Sequence, residues 1–376
     1  MKVLFLALDV DLKDRRGDAI HTRELARALA ELGHTINLVS SSGNGVQLGG
    51  VRHYRLTSAS DWSHVRFCSR LARTLQADVI YERRTSPKIA CTVGFLTGVP
   101  FVLEINGSEQ EVQMQGRNLR PVRKWLRTPM YRKAARIVTV TSPLASELRR
   151  SYRLNPEKIS VVGNGVDPNQ FRPMPRDQAR SQLGLPPNPL ITFVGNIAPW
   201  QGLRVLLEAL VRLQSDHPDV RLAIIGDGPM RGTLETASRT LGLGTTVSFL
   251  GAVEHEIVPL YIGASDVCVV TSTRAMNERV GRSPIKLYEY MASGRVVVAS
   301  DVPGVHEVLE KSQGGLLVPP DSPEALTRAI SWLLENPRDA EAMGERGRSY
   351  AVTHCSWRRT AESIAMILEN ASIQGR

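Results

Sequence analysis

Cysteine is scarce. The 376 residues hold four, at Cys68, Cys91, Cys268 and Cys355, and none is spaced as a metal or redox pair. That excludes a disulfide-stapled scaffold and fits plain thiols in a reducing cytoplasm. Long apolar runs are also missing. The opening VLFLALDV is cut short by Asp9, Asp11 and Lys13, so it reads as a first strand and not as a signal peptide or membrane span. Acidic residues are short in the first half. Residues 1–170 carry 26 Lys+Arg against 15 Asp+Glu, or +11, and the rest carries 21 against 22, or −1, making the net +10. A basic half points to an acidic partner: anionic lipid, nucleic acid or a phosphorylated substrate.

What is present is ordinary globular material, 42% hydrophobic and 22% charged, enough for two cores. Apolar runs alternate with helical patterns from end to end. MKVLFLALDV, TINLVS, ADVIYE, PFVLEI, ARIVTVTS and KISVVG read as strands, with the helix His21–Leu32 stopped by Gly33. A second series follows: LITFVG, VRLAIIG, VSFLG, DVCVVTS, RVVVAS and GGLLVPP, with helices at Leu203–Gln214, Gly232–Leu241 and Ala325–Glu335. The alternation predicts two α/β domains, each a doubly wound parallel sheet. The proline-rich polar stretch FRPMPRDQARSQLGLPPNP sits where a linker belongs. The domains are thus 1–167 and 189–355, with a linker over 168–188.

One stretch concentrates the chemistry: NERVGRSPIKLYEYMASG, residues 277–294, after the apolar run Val267–Val270. Ser283 suits a helix N-cap and Pro284 a first helical position. A helix start at the carboxyl end of a strand binds anions through its free N–H groups and positive dipole end. Lys286 in the first turn is unfavourable for the helix alone, which suggests an anionic ligand. Glu289 shares its face and could accept from a ribose diol. A solvated Lys–Glu pair is the bland alternative.

This stretch resembles the donor-site signature of family-four glycosyltransferases, enzymes of the GT-B fold. Glu289-Tyr290-Met291-Ala292-Ser293-Gly294 matches the second half of the signature, and Glu278-Arg279-Val280-Gly281 matches the first half with three extra residues before the helix. A branch carrying S-P-L-K-L-x-E-Y-M-A is similar. VVGNGVDPNQF, residues 161–171, resembles the family's N-G-V-D-x-x-x-F junction. The resemblance implies two Rossmann-like domains facing across a cleft, an N-terminal acceptor domain and a C-terminal donor domain. A last helix, about 356–376, would return to the first domain.

Several loops take on roles within that resemblance. Gly17, between the first strand and first helix, is similar to the glycine that approaches the donor phosphates. His21 follows it as a candidate acceptor or sugar contact, although a lone histidine is more often a surface residue. At the end of FVLEI, Asn106 stands where much of the family has a histidine, and Glu104 orients it or lies near the acceptor. Glu109 reads better as part of a solvated loop. In VGNIAPWQG, Asn196 and Gln201 stand where family members have arginine after Gly195 and lysine before Gly202. Amides are weaker phosphate partners than cations. Lys286, Arg282 and the helix start at Ser283, Pro284, Ile285 and Leu287 are the compensating groups. Gly226, in IIGDGPMRG, lies near the nucleotide in the family; G-x-G alone is weak evidence.

Residues 117–136 hold eight basic side chains and no acidic one, with Leu119, Val122, Trp125 and Leu126 at helical spacing. A basic amphipathic helix of this kind can lie on an anionic membrane; a solvated basic face over a core is the alternative. It offers no aromatic stacking platform for nucleic acid.

The resemblance therefore implies a metal-independent, cofactor-free retaining transferase. It would move a sugar from a nucleoside-diphosphate sugar to a glycan, lipid-linked or small-molecule acceptor. Glu278, Asn106 and Lys286 would carry the reaction, Glu289 would hold the ribose, and the enzyme would be cytoplasmic or peripheral on the inner membrane face. The missing basic pair supports an alternative, a catalytically weakened GT-B protein acting as a membrane- or partner-bound subunit.

Overall fold

The computed structural model describes residues 1–42, 48–56, 60–83, 88–107, 121–277 and 280–374; for 121–126 and 374 only the backbone is described. The chain divides into two compact units. One comprises Met1–Asn164 with Trp357–Arg376, the other Gly165–Ser356.

The first unit is built on seven parallel strands in the order β3-β2-β1-β4-β5-β6-β7. These are β1 (Lys2–Asp11), β2 (Thr35–Ser42), β3 (Val51–Arg55), β4 (Val79–Arg83), β5 (Phe101–Ile105), β6 (Arg136–Thr139) and β7 (Ile159–Val161). β1 lies inside the sheet and Val3–Ala7 are fully buried, as an unbroken apolar run in a parallel sheet requires. The strand order reverses between β1 and β4, which makes their carboxyl ends the switch point of this sheet. β3 is absent from the sequence reading. Its VRHYR is half exposed at the sheet edge and carries no apolar run to reveal it.

Helix Gly17–Glu31 follows β1, burying Ile20, Leu25, Ala26 and Leu29. It starts four residues before the expected His21, with Asp18 placed to favour the first turn. Helix Trp357–Gln374 packs on it within the same unit through a face that includes Ala361, Ile364, Leu368 and Ala371.

The second unit has six parallel strands in the order β10-β9-β8-β11-β12-β13. They are β8 (Leu190–Val194), β9 (Arg221–Ile225), β10 (Val247–Gly251), β11 (Val267–Val270), β12 (Val297–Ser300) and β13 (Gly315–Val318). The order reverses between β8 and β11. The amphipathic helix Leu203–Leu213 covers one face through Leu206, Leu207 and Leu210. The other face is covered by helix Ile285–Ala292, whose Leu287, Tyr290 and Met291 join Val270 and Val297 in a second core layer.

The expected linker over 168–188 belongs to the second unit. Helix Arg176–Leu183 lies inside it, packed on helix Val258–Ala264. Arg180 is buried there and donates to Asp266 at 2.6 Å and to the carbonyls of Ala264 and Pro187. The prolines cap and punctuate this helix; they do not loosen the chain. The chain passes between the units at Asn164–Gly165 instead.

Candidate active site

In the second unit, the turns after β8 and β9 and the start of helix Ile285–Ala292 converge. Gly195 and Gly226 end their strands with φ of 133° and 126°. A Cβ on Gly226 would lie 2.1 Å from the Gly195 carbonyl oxygen, and one on Gly195 would lie 2.9 Å from Lys286 Nζ. The two turns therefore touch backbone to backbone, with the lysine amine over the first. Only glycine allows both contacts. Ile197 N–H donates to the Asp227 carbonyl at 2.8 Å, and Met230 N–H to the Ile197 carbonyl at 3.0 Å, fastening the half-buried Asn196 between the turns.

Lys286 is 8% exposed. Its Nζ sits 3.6 Å from the centroid of the Phe193 ring and donates to Gln201 Oε1 at 3.2 Å. Burial pushes its pKa down to about 7, and the Glu289 carboxylate works against that push. Gln201 is held by Thr271, whose hydroxyl donates to its carbonyl at 2.6 Å. Lys286 lies 85 residues beyond Gln201 in the sequence, and the fold brings it to the Gly195 turn that Asn196 and Gln201 belong to.

The helix start differs from the expected one. Pro284, in extended conformation, is itself the N-cap, and Ser283 does not cap. The Ser283 hydroxyl pairs with the Tyr288 phenol at 2.9 Å, both buried. Leu287 N–H is used within the protein, donating to the Pro284 carbonyl at 3.0 Å, and the Leu287 side chain is core. The anion-facing end of the helix thus narrows to Ile285 and Lys286.

Glu289 is 4% exposed, and its Oε1 lies 3.1 Å from His255 Nε2. Glu278 and Arg279 lie outside the described residues. Beside them, the fully buried Asn277 donates to the carbonyls of Trp200 and Thr273 and accepts from Arg282 Nε at 2.6 Å. The Arg282 guanidinium lies 5.7 Å from the Trp200 ring centroid. Asn277 and Trp200 lie inside stretches that the motifs mark, but motif spacing gives them no role; His255 sits in a turn with no apolar or glycine pattern.

The first unit holds the remaining candidates. His21 is buried, not a surface residue. Its Nε2 lies 3.0 Å from Glu104 Oε1 and its Nδ1 2.7 Å from Asn164 Oδ1, while Trp357 meets the ring edge-on at 5.4 Å. Glu104 also accepts from the Tyr81 hydroxyl and pairs with Arg83 at 3.4 Å. Burial alone would raise the Glu104 pKa; His21, Arg83 and Tyr81 outweigh it and hold the carboxylate at about 2. His21 and Glu104 are therefore engaged with each other and their neighbours at the end of β5. Asn106 is the half-buried group at this strand end, and its Oδ1 has no hydrogen-bond partner among the described residues. Gly17 is exposed and opens the helix, without a left-handed turn; the expected glycine loop is a helix start. Glu109 lies outside the described residues.

Among the described residues, no group of three or more His, Cys, Asp or Glu is placed to hold a metal ion, and no helix is long and apolar enough to cross a membrane.

Two family models match the chain. Glycosyltransferase Family 4 covers residues 16–170, and Glycosyl transferases group 1 covers residues 175–350. The chain is similar to an alpha-D-kanosaminyltransferase of Streptomyces kanamyceticus, 29% identical over 72% of this chain and 71% of that protein. It is also similar to a GDP-mannose-dependent alpha-(1-6)-phosphatidylinositol monomannoside mannosyltransferase of Mycolicibacterium smegmatis, 32% identical over 54% of each; against that relative the chain spans about half the length. In fold it matches a sucrose-phosphate synthase from Thermosynechococcus elongatus, with TM-score 0.82, 22% identity and full coverage of both chains. It likewise matches Anabaena HepE in complex with UDP-glucose, with TM-score 0.81, 20% identity and coverage of 98% and 99%. The chain belongs to the group 1 glycosyltransferases of the GT-B fold and is an enzyme that transfers sugars in glycan or glycoconjugate synthesis.

The buried amine makes stability depend on pH. An unfolded lysine keeps its proton to about pH 10, whereas Lys286 releases it near 7. Between those values the unfolded chain binds more protons, so stability rises with pH. Replacing the amine in Lys286→Met is expected to stabilise the ligand-free protein at pH 7. That gain should shrink by roughly 1.4 kcal/mol per pH unit as pH rises toward 10. Urea unfolding of both proteins across this range checks it; a gain independent of pH would contradict the burial of a titrating amine.

Proposed function

We propose that the enzyme is a retaining transferase using a nucleoside-diphosphate sugar. The observation that carries this is Lys286, a buried amine at a helix start over the glycine-lined turns at the ends of β8 and β9. A site that desolvates a cation this far without a carboxylate in contact suits an anion brought by the substrate. The diphosphate would lie against Lys286, the Ile285 and Lys286 N–H groups and Gly195, with Asn196 and Gln201 donating amide hydrogen bonds. Glu289 would accept from the ribose diol.

In the step itself, the bond between the sugar's anomeric carbon and the diphosphate oxygen breaks. The electron pair leaves on the diphosphate, whose growing charge the lysine and helix start stabilise. The acceptor hydroxyl bonds to the same face of the sugar, and its proton passes to the leaving phosphate oxygen. No divalent cation enters this scheme. GDP-mannose in the name of one relative and the UDP-glucose bound to HepE make UDP and GDP sugars the first donors to try.

Removing one preorganised donor of this kind typically lowers turnover a hundredfold to a thousandfold. Lys286→Ala is expected to fall by at least about a hundredfold on a UDP- and GDP-sugar panel, with its thermal melt intact. Equal turnover in variant and parent would remove Lys286 from the chemistry. A parent that binds sugar nucleotides but turns none over would favour the weakened, subunit-like reading instead.

A second reading concerns where the enzyme works. Trp62 is 74% exposed and Phe95 77%. Their helices, Asp61–Leu75 and Ile89–Thr97, lie side by side, joined by Lys88 to Asp61 at 3.7 Å and by Arg73 donating to the Leu96 carbonyl at 2.7 Å. Arg66 and Arg70 are exposed on the first helix, and Lys133 Nζ lies 5.3 Å over the Phe95 ring. Aromatic and basic side chains on one face suit an anionic lipid surface. The basic segment 117–136 would add to it; its residues 117–120 lie outside the described residues. The chain is expected to sediment with vesicles containing anionic lipid and not with zwitterionic ones, and Trp62→Ala with Phe95→Ala should reduce binding severalfold. Equal behaviour on both vesicle types would end this reading.

A further inference from the structure

Glu289 is held from a direction the sequence did not suggest. His255, in the turn before helix Val258–Ala264, places Nε2 3.1 Å from Glu289 Oε1. Behind it, the Gln170 amide nitrogen lies 3.2 Å from His255 Nδ1 and 3.4 Å from the His255 carbonyl oxygen. A carbonyl can only accept, so this nitrogen donates to both. Nδ1 is therefore the bare ring nitrogen, and the imidazole proton sits on Nε2, facing the carboxylate. The buried Phe171 ring packs against the imidazole, with centroids 5.4 Å apart. Three separate segments thus fix one carboxylate oxygen: the chain's entry into the second unit, the turn at His255 and helix Ile285–Ala292.

The arrangement has a physical purpose. Lys286 precedes Glu289 by three residues on the same helix face and, when protonated, attracts it. Left alone, the carboxylate would be drawn toward the amine, and two groups meant for two parts of a ligand would neutralise each other. A neutral N–H donor on the far side holds Glu289 back without adding a charge.

We infer that His255, in the tautomer set by Gln170, is a positioning residue that fixes Glu289 for a ribose diol and so gives the site its preference for ribonucleotides. This rests on Glu289 being the ribose acceptor, as proposed above. Oε1 receives the imidazole N–H, and the second carboxylate oxygen accepts from the diol. Gln170 acts one step further back by denying the proton to Nδ1.

Calorimetry on the full chain separates the claims, with UDP, GDP and their 2′-deoxy counterparts as probes. The parent should prefer the ribose form about tenfold, the scale of a charge-assisted hydrogen bond. His255→Ala should lose about fivefold to tenfold in affinity for the ribose form and change little for the deoxy form. Gln170→Leu should move the same way by less, and His255→Gln, whose amide can still donate, should restore part of the preference. A merely structural role would weaken both forms equally, and that result would overturn the inference. If Glu289→Gln abolishes the preference and His255→Ala does not, the inference fails alone. If Glu289→Gln leaves the preference untouched, or no probe binds the parent, the ribose reading fails and takes the inference with it. Should His255→Ala melt below the assay temperature, the His255→Gln and Gln170→Leu comparison decides.

Discussion

A primary amine kept out of water organises the converging turns of the second unit. Lys286 touches an aromatic face, an amide oxygen and the backbone of a glycine turn, and burial takes its pKa down to about 7. Each neighbouring feature follows from that placement. Gly195 needs glycine for its φ of 133°, with the amine against it, and Gly226 must lack a side chain because the Gly195 carbonyl occupies the space. The helix must begin at Ile285 so that the amine projects from its first turn. An amine in such a place is costly to charge until an anion arrives, and that cost makes the site responsive to its ligand.

The same interaction bears on Asn196 and Gln201, where the family resemblance leads one to expect cations. Gln201 does not stand in for a charge. Its amide oxygen accepts from Lys286 and aims the one amine, while its own carbonyl is fixed by Thr271. Arg282, stacked near Trp200 and tied to Asn277, places a second cation on the approach to the helix start. The cations of this region, Lys286 and Arg282, thus lie at and before the helix start, with amides in the turn after β8.

Much of the fold was legible because parallel strands buried on both faces leave continuous apolar runs. Most of the described strands announced themselves by such runs, the partly exposed β7, β10 and β13 included, and β3, a half-exposed edge strand without one, did not. The boundary was less legible. Proline marked residues 168–188 as a linker, but proline serves equally to cap a packed helix, and Arg180 with Asp266 ties that helix down. Motif spacing singled out Lys286, Glu289 and the glycines, whose placement follows from local turns and helix spacing. It misplaced the cap by one residue, because the competing Ser283–Tyr288 hydrogen bond depends on burial. It could not show that His21 and Glu104 pair with each other and with Asn164 and Tyr81, which are far away in sequence. His255 and Gln170 were invisible for the same reason: partners 34 and 85 residues apart leave no pattern in a sequence.

The central claim is that a nearly neutral Lys286 becomes charged when it meets the diphosphate. Calorimetric titration of UDP or GDP at pH 8, repeated in buffers of different ionisation enthalpy, counts the protons taken up. An amine with a pKa of about 7 that is driven to full charge by its ligand should take up close to one proton per nucleotide in the parent and almost none in Lys286→Met. Tight binding with no uptake, or the same uptake in both proteins, would contradict the account.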